Sequence, residues 1–428
     1  MKGVVDMLIS FSAENFMSLK NEVEFSMETG LRLRKYKHTN TFQDDNEAVL
    51  KSAILVGPNG SGKTNILSAL RVMKSLIINP TQSATAVLPY NPFLMSENNL
   101  QKPTTFSIHF KTQGQEYIYS MSYTKNEVVT EELDYFLNNT RQIYFSRERS
   151  HFTQISESLK PYTKLTRPNI LFLNVAQNVN DTRAIAVLNW FENDLLFGVD
   201  ITTNLSQLYY LLKDPKNKQK LLHFLKFADI NIEDVDVREQ AIPKRVIEVL
   251  TKTLSHEEAE HFLADEKNIT TLYVGYKQYD AEGQLLDELR YIPLVRDSQG
   301  TQNLLGIALA IINANVNDND KTLLFDEFDD SLHFEIAKAL LSVFNSKVNK
   351  NQFILTTHDL ALLDCNLRRD QIYFADKDFQ GETKLYSLFD FKDITTSRKD
   401  FSYYHKYLTG MFGAMPTVQP DEMEKSLS

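Results

Sequence analysis

The sequence predicts an α/β fold built on a parallel sheet, and three stretches predict it. Gly57-Pro58-Asn59-Gly60-Ser61-Gly62-Lys63-Thr64 is a glycine-rich turn between an apolar run and an amphipathic stretch. Lys321–Glu327 is an apolar strand ending in two carboxylates, and Gln352–Asp359 is a second apolar run ending in His358. Between these two lies Phe334–Phe344, a helical pattern of the length that a β-α-β crossover requires.

The glycine-rich turn reads G-x-x-x-x-G-K-T, the phosphate-binding P-loop. Ser52–Val56 before it has strand character, and Asn65–Met73 after it continues as a helix. An anion with several charges has to be met by backbone N–H groups. Only a turn without Cβ atoms lets the chain approach closely enough, and the positive end of the following helix adds to the attraction. Gly57, Asn59, Gly60, Ser61, Gly62 and Asn65 are the expected cradle; Lys63 would reach the β- and γ-phosphates, and the Thr64 hydroxyl would ligate Mg2+. The four fixed positions match by chance in roughly one chain of this length in a hundred.

Asp326 stands where a P-loop protein completes its Mg2+ shell, and Glu327 where a general base polarises the attacking water. Taken alone, the same segment also reads as a buried strand capped by solvated acids. A lone histidine is more often structural, but the position of His358 after the second strand places it at the carboxyl edge of the sheet, beside the γ-phosphate. Asp297–Gln302 enters an apolar helix over 303–312. Ser298, Gly300 and Thr301 there offer a hydroxyl and N–H groups to an anion, or equally form a helix N-cap.

The remaining elements are read in chain order. Leu8–Phe16 and Leu19–Met27 alternate as a hairpin, and a strand that begins at Leu8 also fits a translation start at Met7. Pro80, Pro89 and Pro92 punctuate a loop. Thr104–Phe110, Glu116–Tyr123 and Glu127–Tyr135 are three aromatic-rich alternating strands, an antiparallel sheet. From about Arg147 to Asp280 the pattern is mixed and mostly helical, with helices near Thr182–Leu196 and Asp214–Phe227 and a charged segment at Ser255–Glu266. The expected division is 1–146 for the N-terminal half of the body, 147–280 for a helical insertion lobe, 281–418 for the C-terminal half, and 419–428 for an unstructured tail.

The chain carries 46 Lys and Arg against 56 Asp and Glu, a formal charge of −10, which argues against a surface that binds nucleic acid over its whole area but leaves room for a local basic groove. Cys365 is the one cysteine, which suits a reducing compartment. The N-terminus lacks signal-peptide features, and the longest apolar run, Leu304–Ile312, is too short to cross a bilayer. A cytoplasmic protein without membrane attachment is expected.

The order of P-loop, Ser-Gly-Thr turn, Asp-Glu strand and His strand resembles an ABC-type ATPase head of the SMC and RecF kind. The chain is most similar to stand-alone AAA-family ATPases related to OLD proteins and bacterial abortive-infection ATPases. Leu8–Phe11 with Asn15-Phe16, Pro92-Phe93, Leu332-His333, Asn366–Lys377, Tyr407–Gly410 and Gly413–Pro416 also carry the likeness. The resemblance implies ATP and Mg2+ as cofactors, with Lys63, Glu327 and His358 as catalytic residues. It also implies that Ser298, Gly300 and Thr301 contact the γ-phosphate held by an opposite protomer, hence a homodimer or higher homo-oligomer closed around ATP. Leu332-His333 departs from the Leu-Asp of transporter-type members, and Asn91 is the nearest candidate for their Q-loop glutamine.

Two functions follow from the resemblance. One is a sensor or regulator of a separately encoded effector, a nuclease or toxin, in anti-phage defence. The alternative is a DNA-binding ATPase of the RecF or SMC type in DNA repair, although no sustained heptad run is visible. Many relatives carry a Toprim nuclease, and Asp376-Lys377-Asp378 has its Asp-x-Asp spelling. Too little chain follows His358 for that fold, and these acids are expected to cap a hairpin with Gly381.

Overall fold

A parallel sheet with the P-loop strand inside it organises the first of two compact units. The computed structural model describes residues 6–30, 32–43, 48–198, 208–241, 268–317, 320–391, 402–413 and 419–427. The first unit is Met1–Phe197 with Asp320–Asp329 and Ala337–Ser428; the second is Gly198–Asn319 with Asp330–Ile336.

In the first unit the parallel sheet has the order Leu195–Phe197, Thr322–Phe325, Gln352–Thr357, Ser52–Val56, Ile372–Lys377 and Thr383–Ser387, of which only the last is antiparallel to its neighbour. Every residue of Ser52–Val56, Thr322–Phe325 and Gln352–Thr357 is buried. That is why these strands are apolar through their middles rather than alternating, with polar residues at their ends: both faces of the sheet are covered. Phe344 stacks on Phe353 at 4.1 Å between ring centres, which ties the crossover helix Phe334–Phe344 to the sheet. Leu355 pairs with both Phe325 and Ile54, so the histidine strand lies between the carboxylate strand and the P-loop strand, and all three end on one edge.

The antiparallel sheet has seven strands in the order His151–Ile155, Thr140–Glu148, Val128–Leu137, Gln115–Tyr123, Thr104–Thr112, Met7–Glu14 and Val23–Ser26. The expected N-terminal hairpin is therefore part of the same sheet as the three aromatic-rich strands. Thr104–Thr112 buries every second residue, and its inward Phe110 stacks on fully buried Trp190 at 4.2 Å. Buried Gln352 joins the sheets: its amide accepts from Leu8 N–H at 2.7 Å and donates to Leu8 O at 3.1 Å. An apolar residue at 352 would strand both backbone groups.

Among the described residues, the stretch expected as a mostly helical lobe is divided between the two units and includes strands. Residues 147–197 belong to the first unit and include the end of one strand and the whole of another at the antiparallel sheet's far end. The helix expected over Thr182–Leu196 stops at Asn193, because Leu195–Phe197 pairs in parallel with Thr322–Leu324 and Thr322 N–H bonds Asp194 O at 2.7 Å. A three-residue strand is too short to show a period of two, so the apolar run read as the end of the helix.

The second unit contains helix Pro215–Phe227, begun by Asp214, whose carboxylate accepts from Lys216 N–H at 2.9 Å. It also contains a three-stranded antiparallel sheet, Asp234–Ala241, Asn268–Tyr279 and Leu285–Pro293, and the apolar helix Gln299–Val316. Among its described residues the second unit thus combines a sheet with helices, and it reaches past 280 to include the helix behind Ser298. The charged segment Ser255–Glu266 and the Ala414–Pro416 part of the C-terminal motif lie outside the described residues. In the stretch expected as an unstructured tail, Pro420–Leu427 is a helix with no buried residue. Among the described residues no helix is long and apolar enough to cross a membrane.

Candidate functional site

The P-loop leaves the buried strand Ser52–Val56 and enters helix Lys63–Ile78. Gly60 and Gly62 hold φ of 78° and 101°, a region that costs side-chain-bearing residues strain. Gly62 also has no room: a Cβ there would lie 2.1 Å from Thr383 Oγ1 and 2.9 Å from Ser18 Oγ. At Gly57 a Cβ would lie 2.4 Å from the carbonyl oxygen of Ala375.

Behind the loop runs a hydrogen-bond chain that the motif alone does not announce. Asn65 Nδ2 donates to Ser18 Oγ at 2.6 Å, Ser18 and Thr383 hydroxyls lie 2.7 Å apart, and Thr383 Oγ1 donates to Ser61 O at 2.8 Å. Asn65, which also lines the cavity in front of the loop, is therefore tied to it through Ser18 and Thr383.

Lys63 is buried, and its Nζ donates to Gly57 O at 2.7 Å and Pro58 O at 3.1 Å. Burial lowers its pKa from the usual ammonium value, opposed by the negative charges of Glu327, Asp326 and Asp329 in that order. The structure thus brings the carboxylate strand's end into the electrostatic field of the P-loop lysine. A cavity of about 250 Å³ is lined by Asn59–Asn65 together with Glu327 and Lys377. Thr64 is exposed at its side.

Two threonines at the end of the histidine strand position the acids. Thr356 Oγ1 donates to Asp326 Oδ1 at 2.5 Å and accepts from Glu327 N–H at 2.7 Å. Thr357 Oγ1 donates to Asp329 Oδ2 at 2.6 Å and accepts from Asp359 N–H at 2.9 Å. Glu327 has φ of 45°, an observed departure from ordinary backbone of the kind that gathers at functional sites, and its side chain is exposed. Asp329 is 8% exposed, and its Oδ1 has no partner. Burial raises the Asp329 pKa, while the Thr357 hydroxyl and then His358 act to lower it, so His358 stands near this acid.

Sequence reasoning missed Asp329, Thr356, Thr357 and Lys377. Two consecutive threonines closing an otherwise apolar buried strand were the available signal for the pair, since buried hydroxyls need partners.

The site's chemistry fits a nucleoside triphosphate with Mg2+. Ser61 Oγ is buried without a partner, the glycines permit close backbone approach, and Lys63 and Thr64 open the helix, where N–H groups lie ahead of its i→i−4 bonds. Among the described residues no group of three or more His, Cys, Asp or Glu could hold a metal unaided. Mg2+ needs no such cage, because phosphate oxygens and waters supply most of its shell. Thr64 and Asp326 are the residues that would hold it.

The Ser298 turn lies in the second unit. Ser298 Oγ accepts from Thr301 N–H at 3.1 Å and lies 2.8 Å from Thr301 Oγ1, so the N-cap alternative is what the turn forms. Asp297 accepts from Ser298 N–H at 2.7 Å and from the Tyr276 hydroxyl. Gly300 packs against the segment after the carboxylate strand: a Cβ there would lie 2.4 Å from Ser331 O, and Asn303 Nδ2 donates to Asp330 O at 3.0 Å. Asn91 lines a neighbouring cavity and not the phosphate cavity. Asp378 accepts from the N–H groups of Gln380 and Glu382 at 2.9 and 3.0 Å, the hairpin cap expected of it.

The chain is 23% identical over 400 residues to a Helicobacter pylori (strain ATCC 700392 / 26695) protein named "ATP/GTP phosphatase", covering 90% of this chain and 99% of that one. Among solved structures it is similar to an SMC head domain from Thermotoga maritima, with TM-score 0.39 and 14% identity over 89% of this chain and 98% of that one. It is also similar to the recombination mediator protein RecF, with TM-score 0.36 and 12% identity over 89% and 98%. Residues 52–364, which include the P-loop, the carboxylate strand and His358, match the family described as "AAA domain, putative AbiEii toxin, Type IV TA system", and the chain belongs to that family.

Proposed function

We propose that this ABC/AAA-type ATPase closes as a homodimer around two Mg2+-bound ATP molecules and, in that state, controls a separately encoded nuclease or toxin in bacterial anti-phage defence. The observation that supports the proposal is the phosphate cavity, where Glu327 shares the lining with Asn59–Asn65 and where Lys63 lies in the field of Glu327, Asp326 and Asp329. Lys63 meets the phosphates, Thr64 and Asp326 hold Mg2+, and Glu327 polarises the attacking water. Mg2+, when bound, neutralises charge that develops on the β- and γ-phosphates. His358 senses the γ-phosphate. Ser298, Gly300 and Thr301 of one copy close on the nucleotide of the other, which makes the Asp297 and Ser331 contacts the means by which the turn keeps its shape. The words "putative AbiEii toxin, Type IV TA system" in the family's description support a two-gene arrangement. Kinship with OLD proteins belongs to the same proposal, as does a cytoplasmic site of action.

Co-expression with the adjacent genes and phage challenge test it. The expected result is that the tagged protein retains a neighbouring gene product in Mg2+-ATP, and that deleting the pair raises phage plating. Unchanged plating and no retained neighbour contradict the proposal. ATP-dependent, salt-sensitive binding to duplex DNA in their place would favour the DNA-repair alternative.

A further inference from the structure

Beside the phosphate cavity is a larger one with no role in the mechanism above. It holds about 510 Å³, within the range of small-molecule sites, and shares Asn65 and Lys377 with the phosphate cavity. Three segments wall it: Met17-Ser18, the loop Tyr90–Met95, and the turn at Phe379–Gly381. Each is pinned. Met17 N–H bonds Asn91 O at 2.8 Å, and Asn15 Oδ1 accepts from Phe93 N–H at 3.1 Å. The Asp378 carboxylate holds the turn, and Thr383 ties the strand that follows it to Ser61 O of the P-loop.

On these walls three large apolar side chains stand in solvent: Phe379 is 97% exposed, Met95 72% and Leu94 66%. Scattered apolar residues need no explanation, but a group of them around one concave space marks a binding surface. Lys377 is the only charged side chain in the lining.

We infer that this cavity receives the purine base and ribose of the nucleotide whose phosphates rest on Gly57–Thr64, with the Phe379 ring as the face on which the base stacks. The inference rests on the P-loop reading. A nucleoside triphosphate is a polyanion joined to a flat aromatic group, and the two adjoining cavities divide in the same way, one with Lys63 and backbone N–H groups and the other lined mostly by apolar and aromatic side chains with a few amides. Lys377, common to both, faces the phosphate nearest the ribose. No carboxylate lines the cavity to accept from the guanine N1–H and amino group together, and the Asn91 and Gln380 amides can present either a donor or an acceptor, so adenine and guanine are only weakly distinguished.

The test compares binding of Mg2+-ATP and Mg2+-tripolyphosphate to the full chain and to Phe379→Ala. The variant removes a side chain that is almost wholly in solvent, so the fold is unaffected. The expected result is that ATP binding weakens about tenfold, the order found when one aromatic stacking partner of a base is removed, while tripolyphosphate binding is unchanged and Phe379→Tyr restores the ATP affinity. Photolabelling with 8-azido-ATP is expected to mark peptides containing 90–95 or 377–381. ATP binding indifferent to Phe379→Ala, equal weakening of both ligands, or label confined to other peptides would overturn the base site while leaving the P-loop reading intact. Failure of the unaltered protein to bind either ligand would overturn both.

Discussion

Replacing Glu327 with glutamine is expected to lower ATP turnover by about a hundredfold or more while Mg2+-ATP remains bound, because a positioned general base contributes at least that much. The amide keeps the shape and the left-handed backbone of Glu327, and the N–H bond to Thr356 Oγ1 survives, since it involves only the main chain. The carboxylate's proton-accepting capacity is what is lost. A nucleotide that binds and is not cleaved should accumulate the closed dimer, so size-exclusion chromatography with light scattering in Mg2+-ATP is expected to show two copies for the variant. Turnover equal to the unaltered protein would mean that another group is the base. Asp329 is the first to examine in that event, because Thr357 holds it on the same edge of the sheet.

Lys63→Ala is expected to reduce Mg2+-ATP affinity by about a hundredfold or more, to the point where titration calorimetry detects no binding. Hydrogen bonds to charged groups are worth about 1.5–3 kcal/mol each, and the ammonium that now spans Gly57 O and Pro58 O can make more than one to a triphosphate. A second effect has the same sign. Glu327, Asp326 and Asp329 all act on this ammonium, so its removal leaves three carboxylates beside an incoming polyanion. Retained affinity in a folded variant, checked by its thermal unfolding midpoint, would place the phosphates elsewhere.

The parts of the site legible in the sequence are those whose chemistry allows few spellings. A loop that admits backbone to phosphate needs glycine where Gly57 and Gly62 meet neighbouring atoms, and a buried parallel strand ending at a site reads as Leu323–Glu327 does. Supports drawn from distant segments were not legible. Ser18 and Thr383 are 365 positions apart, and nothing local in either says that both touch the loop. Thr356 and Thr357 were readable as polar residues closing a buried strand, but which acid each holds depends on the register between two strands. The second unit's sheet was missed because Asn268–Tyr279 mixes aromatic and polar residues without clean alternation; Gly275, for example, sits where Tyr291 lies across the strand.

The central claim, that one copy's Ser298 turn completes the nucleotide site of another, is tested most directly by mixing two inactive proteins, Lys63→Ala and Ser298→Arg. In a two-fold dimer each mixed pair has one site with both changes and one with neither. An equimolar mixture is therefore expected to recover about a quarter of the unaltered turnover. Turnover that stays at the level of the separate variants, or Ser298→Arg that remains fully active alone, would contradict a site shared between two copies.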